Sequence, residues 1–134
     1  AIAAKHALGY QARIVGVVRA HATTYADSLA AGRVVEAPVT TLLADGMACR
    51  VADAEALAIL QGNIDHIVKV TDAEVAQAMR DIFACTHNVA EGAGAAAFAA
   101  AMQEREQLVG QTVGLALSGG NVDSAMLADV LRNQ

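Results

Sequence analysis

Apolar positions alternate between two rhythms along this chain. Short β-branched runs without clean polar alternation are separated by longer stretches in which apolar residues recur every three or four positions. The first rhythm suits strands covered on both faces, and the second suits amphipathic helices. Residues 2–8 read as helix, with Gly9 placed to end it in the left-handed conformation. Residues 12–18 (Ala-Arg-Ile-Val-Gly-Val-Val) are expected to form a strand, and residues 22–31 a helix stopped by Gly32. Residues 33–46 carry the only proline, Pro38, and a turn-like Asp45-Gly46 pair, so they read as irregular. A short Ala/Leu-rich helix is expected at 53–61, with Asp53 near its start, and a second strand at 64–70.

Thr71-Asp72-Ala73-Glu74 has the spacing of a capping box. The Thr71 hydroxyl can accept from the Glu74 N–H while the Glu74 carboxylate reaches back to the Thr71 N–H. Val75, Met79, Ile82 and Phe83 then fall at helical spacing, which predicts an amphipathic helix over 72–86 with its Met/Phe stripe in the core. Residues 91–105 predict an alanine-rich helix able to approach a neighbour closely. Residues 111–117 predict a third strand, 118–121 a turn, and 122–132 a closing helix. Strands separated by helices argue for an α/β fold: an open, mostly parallel sheet flanked by helices. Right-handed crossovers would place helices on both faces, and ligands would bind beyond the carboxyl ends of the strands. Three strands make a narrow sheet, so further strands are expected from elsewhere.

Composition narrows the function classes. The 134 residues include 9 Lys+Arg and 14 Asp+Glu, a net charge of -5, and 55% are hydrophobic. Such a chain is too apolar for disorder and, at this length, forms one domain or a piece of a larger one. Burial of roughly 70% of the extended surface allows a real core. The acidic balance argues against nucleic acid, whose phosphates are met mainly by Lys and Arg. No apolar run reaches the roughly 18–20 residues that span a bilayer, and the N-terminus lacks the basic flank of a signal peptide. The absence of an initiator Met points to processing, proteolysis or a start inside a longer protein. Cys49 and Cys85 make no disulfide framework and read as reduced core thiols of a cytoplasmic protein.

Candidate chemistry concentrates near the end of the third strand. Leu115-Ala116-Leu117-Ser118-Gly119-Gly120-Asn121-Val122-Asp123 takes a buried-type run into a small hydroxyl, two glycines and a helix. Glycines let a ligand approach the backbone, and a helix start offers free N–H groups. The same residues also suit a plain helix cap or tight turn. Gly92-Ala93-Gly94-Ala95-Ala96-Ala97 matches the letters of a dinucleotide fingerprint, but no strand precedes it and no acid follows at a second strand end. It reads as a closely packed helix start. Glu91 before it either answers the helix dipole or faces a site. His6, His21, His66 and His87 lack ligand spacing and read as surface or satisfied residues. Lys5 and Lys69 have no context marking a Schiff-base lysine, and no metal site is expected.

Three motifs, Ser118-Gly119-Gly120-Asn121-Val122-Asp123, Val89-Ala90-Glu91-Gly92-Ala93-Gly94-Ala95-Ala96 and Leu43-Ala44-Asp45-Gly46, together resemble the C-terminal part of threonine/serine dehydratases. These are ammonia-lyases of the fold-type II pyridoxal-phosphate group, the tryptophan synthase β-like superfamily. The resemblance covers essentially the whole chain, with the motifs in the family's order. It implies that Ser118 hydrogen-bonds the pyridine nitrogen of pyridoxal phosphate, that Gly119, Gly120 and Asn121 shape that corner, that Glu91 stands near the ring and substrate, and that Gly46 offers backbone to the same pocket. A neutral hydroxyl leaves the ring a weaker electron sink, which favours expelling a β-hydroxyl over long-lived carbanion chemistry.

The family reaction implied is loss of water from L-threonine or L-serine, giving a 2-oxo acid and ammonia. Some relatives racemise serine or act on 3-hydroxyaspartate. Relatives with a divalent-metal site carry a glutamate just after the strand matching residues 12–18, whereas this chain has Arg19-Ala20-His21-Ala22. The family's Schiff-base lysine and phosphate loop lie upstream of the segment matching Ala1. Residues 1–134 are thus expected to be the C-terminal portion of a pyridoxal-phosphate large domain. They would not be competent alone and would work with an N-terminal half on a small amino-acid substrate. The alternative is a non-catalytic module derived from that enzyme, associating with itself through an exposed sheet edge.

Overall fold

The computed structural model describes residues 1–40 and 45–132. Its elements are α1 (Ile2–Ala7), β1 (Val15–Arg19), α2 (Thr24–Ala31), a 3-10 turn (Asp45–Met47), α3 (Ala54–Leu60), β2 (His66–Val70), α4 (Asp72–Thr86), α5 (Gly92–Gln103) and α6 (Ser124–Arg132). Strands β1 and β2 pair in parallel, with Val15 opposite His66 and Arg19 opposite Val70. The long connection between them carries α2 and α3, the arrangement a parallel pair requires. The chain is therefore an α/β layer with a parallel sheet and flanking helices. Among the described residues no helix is long and apolar enough to cross a membrane.

Local chemistry sets the element ends. Gly9 takes φ 64° just past α1, and Gly32 caps α2 at φ 66°. The Asp53 carboxylate accepts from the Ala56 N–H at 2.8 Å and starts α3. The capping box of α4 forms as its spacing predicts: the Thr71 N–H donates to Glu74 at 2.7 Å, and the Glu74 N–H donates to the Thr71 hydroxyl at 3.3 Å. Gln103, at the end of α5, donates to Glu74 at 2.8 Å and to the Lys69 carbonyl at 3.0 Å. One side chain thus ties the start of α4 to the end of α5 and to β2. Desolvation pushes the Glu74 carboxyl up, but the bonds from Thr71 and Gln103 outweigh it and hold the group below its ordinary value.

The core gathers Val68 and Val70 of β2, Val75, Ala78 and Met79 of α4, and Ala95, Ala96, Ala99 and Ala100 of α5, with Ala90 and Val130. The small side chains of α5 allow the close packing its composition predicts. Met79 is fully buried and fills space that alanines leave, contributing about 1.5–3 kcal/mol of burial. The buried hydroxyls of the connection are satisfied. Thr24 donates to the Cys49 carbonyl at 2.5 Å, and Ser28 accepts from the Val35 N–H at 3.1 Å.

Several expectations change. Residues 111–117 do not form a strand; they pair with no strand among the described residues. A strand exists only with a neighbour to accept its N–H groups, and among the described residues β1 and β2 have only each other. Val113, Leu115 and Leu117 are accordingly 44%, 45% and 47% exposed instead of buried. Cys85 is exposed on α4 and Cys49 is half-buried, its thiol donating to the Val51 carbonyl at 3.0 Å, so neither is a core thiol. The helix expected over 91–105 ends at Gln103, and a run of turns continues to Gly110 at φ 76°. The closing helix begins at Ser124, not 122, because the Asp123 carboxylate accepts from the N–H groups of Ala125 and Met126.

His66 is satisfied at both nitrogens. Nδ1 lies 2.8 Å from Asp65 and Nε2 lies 2.7 Å from Glu104, which joins the start of β2 to the end of α5. The hydrogen bonds with Asp65, then with Glu104, favour the protonated ring and raise its pKa. A raised folded-state value contributes stability that is fully present below the unfolded value of about 6.5 and is lost as pH rises through the folded value. In urea unfolding across a pH series, wild type is expected to exceed His66→Gln most below pH of about 6.5. The gap should narrow above it; a gap that does not change with pH would contradict the assignment.

Candidate functional site

The site is built where three loops meet the first turn of α5. Glu91 is the N-cap of that helix, with extended backbone at φ -76° and ψ 167°, and no side chain caps the turn. The first N–H groups of a helix have no acceptor within it, so this end presents donors and partial positive charge. The Glu91 N–H itself donates to the Gly119 carbonyl at 3.0 Å. That bond seats the 118–121 loop directly on the helix start.

Glycine makes the approach feasible. A Cβ on Gly94 would collide with the Gly119 carbonyl, and one on Gly119 would collide with the Glu91 carboxylate. A Cβ on Gly120 would stand 2.6 Å from the Val89 carbonyl oxygen. Gly46, in the 3-10 turn, reaches the same helix turn: its Cβ would lie 3.4 Å from that of Ala93. Four of the six residues singled out in the sequence, Gly46, Glu91, Gly119 and Gly120, are therefore brought together. Ser118 and Asn121 flank the two glycines in the chain and are exposed. Glu91 is half-buried. Leu43 and Ala44 of the Leu43-Ala44-Asp45-Gly46 motif lie outside the described residues.

The arrangement brings helix-start donors and an acid to one turn. The helix start supplies N–H donors, the Glu91 carboxylate lies against Gly119, and Ser118 precedes that glycine in the chain. The space a side chain would take at Gly119 and Gly120 is filled by the Glu91 carboxylate and the Val89 carbonyl, so these glycines serve the close packing of the loop on the helix start.

A divalent metal does not suit the residues present. Arg19, the last residue of β1, is fully buried and ion-paired with Asp72 in the first turn of α4. Its Nε and Nη1 groups have no hydrogen-bond partner among the described residues. Burial lowers its pKa, because desolvation disfavours the charged form. Among the described residues no three side chains of the His, Cys, Asp and Glu types converge as metal ligands. Sequence reasoning noted Arg19 only as a missing acid; its burial followed from no local pattern. It also read Gly94 as close packing without its partner, which lies 25 positions on, at Gly119.

With this geometry in view, the comparisons with known proteins agree on one family. The pattern of the family described as pyridoxal-phosphate dependent enzyme matches residues 1–119. An L-threonine ammonia-lyase of Geobacter sulfurreducens is 38% identical over 120 residues, which are 89% of this chain and 30% of that protein. An L-threo-3-hydroxyaspartate ammonia-lyase of Saccharomyces cerevisiae is 32% identical over 78% of this chain and 32% of its own length. The crystal structure of a threonine deaminase from T.th. superposes with a TM-score of 0.83 at 33% identity, over 91% of this chain and 41% of that one. The processed form of threonine deaminase isoform 2 from Solanum lycopersicum gives 0.84 at 27% identity, over 96% and 38%. The chain spans about a third of the length of the curated relatives it matches. On the matched residues and the shared fold, this chain belongs to the pyridoxal-phosphate dependent enzyme family.

Proposed function

We propose that this chain is the C-terminal portion of the cofactor-binding large domain of a threonine/serine ammonia-lyase. The whole enzyme would remove water from L-threonine or L-serine and release a 2-oxo acid and ammonia. The observation that carries the reading is the seating of the 118–121 loop on the start of α5, with Glu91 and Gly46 at the same turn. Relatives of the same family that carry this reaction in their names support it.

Pyridoxal phosphate, when bound, supplies an electron sink conjugated to the α-carbon of an amino acid. The residues here would bind and orient it. The exposed Ser118 hydroxyl would hydrogen-bond the ring nitrogen without forcing a proton onto it, as a carboxylate would. Gly119 and Gly120 would hold the loop tight against the start of α5 beside the ring, with Asn121 bounding the corner. Glu91 would hold negative charge beside the ring and substrate. Gly46 would close the pocket from the 3-10 turn. Neither Lys5 nor Lys69 lies at this turn. Lys5 sits on α1, and Lys69 on β2 lies 3.7 Å from Asp27. Covalent attachment and the phosphate grip would come from an N-terminal half. A cytoplasmic setting fits the free cysteines.

A second reading has its own support. Residues 111–117 are exposed throughout, Val113, Leu115 and Leu117 among them, an extended apolar segment open to pairing with a second copy. The chain would then be a non-catalytic, self-associating module. Mixing the chain with pyridoxal phosphate separates the two. The lyase reading expects no band of lysine-bound cofactor from the chain alone, and a band with turnover when an N-terminal half is added. A stable oligomer that no N-terminal half complements would favour the second.

Two substitutions test the corner in the complete enzyme. Ser118→Ala is expected to lower turnover about tenfold, the worth of one hydrogen bond of roughly 1.4 kcal/mol, with an unchanged circular dichroism spectrum. Unchanged turnover would remove Ser118 from the mechanism. Gly94→Ala forces the Gly119 backbone away from α5 and should cost about 1–3 kcal/mol of stability in urea unfolding, together with weaker cofactor binding in a fluorescence titration.

A further inference from the structure

Arg19 is used neither by the hydrophobic core nor by the chemistry proposed above. It ends β1 opposite Val70, at the carboxyl edge of the parallel pair, where open α/β sheets present charged groups. Its side chain has no solvent exposure, yet it carries a charge. A buried charge persists only when it is paired. The partner is Asp72, the first residue of α4, so the pair bridges the end of β1 to the start of α4. Neighbouring backbone is also fixed here. The Ala20 N–H donates to the Val70 carbonyl at 2.8 Å, and the Ala22 N–H donates to the Arg19 carbonyl at 3.0 Å.

The chemistry of this junction is that of a cation site already filled from within. A hard divalent cation needs about six or more oxygens, usually including carboxylates. Here the first turn of α4 offers Asp72, and Arg19 engages it. The Arg19 guanidinium has only donors, so it repels a cation and offers it no ligand. The stretch just after this strand, where the resemblance implies a glutamate in relatives with a divalent-metal site, reads Arg19-Ala20-His21-Ala22 here, without an acid. The end of β1 thus offers no acid to gather a cation and holds a cation of its own on a tether.

We propose that the Arg19 guanidinium is a built-in replacement for a bound divalent cation: it neutralises Asp72 and locks the β1–α4 junction, so this chain keeps its fold without metal. The inference rests on the geometry and on family membership, not on the proposed reaction.

Heat unfolding followed by circular dichroism tests it, with magnesium, calcium or manganese chloride, or with a chelator. The expected result is one midpoint in all conditions. A saturable rise with any of the three cations would overturn the proposal. Arg19→Glu places an acid at the position and should lower the midpoint by several degrees in chelator, with saturable recovery on adding a divalent cation. A folded variant that ignores all three cations would count against the proposal. If Arg19→Glu does not fold, the set Arg19→Met, Asp72→Asn and the double variant replaces it. The double variant is expected to lose less than the sum of the singles, and additive losses would reject the pairing. These readouts involve neither cofactor nor turnover, so a failed lyase reading and a failed cation reading give different results.

Discussion

The Gly119 carbonyl rests on the first turn of α5 at a distance that leaves no room for a Cβ on Gly94. The candidate site is arranged around that approach. The Glu91 N–H bond to the same carbonyl fixes the loop in register with the helix. The register sets which residues line the corner: Ser118 before the contact, Gly120 and Asn121 after it, and Gly46 across the turn. Moving the helix by one residue would replace Gly94 with an alanine and break the approach. The corner is therefore a property of backbone packing, and the side chains named for binding are positioned by it.

That packing depends in turn on α5 being made of small residues. Ala95, Ala96, Ala99 and Ala100 are buried against α4 and β2, and larger residues there would push the helix outward. Its far end is fastened by polar contacts instead. Gln103 binds the capping box of α4, and Glu104 binds His66 at the start of β2. One end of α5 carries the candidate site, while the other end carries the bonds that hold its position.

Much of this was readable from the chain alone. The capping box at Thr71 and Glu74, the span of α4 and the parallel strand–helix rhythm follow from short-range spacing, which local physics decides. Gly46, Glu91, Gly119 and Gly120 could be singled out from the order of residues, and they do meet at one turn. What failed had a common cause. Residues 111–117 have the composition of a buried strand, but composition cannot supply the neighbour that makes a strand. Cys85 lies on the exposed side of a helix whose facing elements decide burial. The partners of Gly94 and of Arg19 lie at Gly119 and Asp72, too distant in the chain for any local pattern to pair them.

The crossover between the two strands bears on how the chain reaches this state. Arg19 and Val70 are neighbours in the sheet, yet a long connection with two helices must close before a single ladder bond forms. Contacts of such long sequence separation slow the search for the native state. During that interval the apolar sequence at 113–117 is open to any strand it meets, including its copy on another molecule. Yield on refolding should therefore be a contest between a first-order closure and a second-order encounter, won by dilution and lost by crowding.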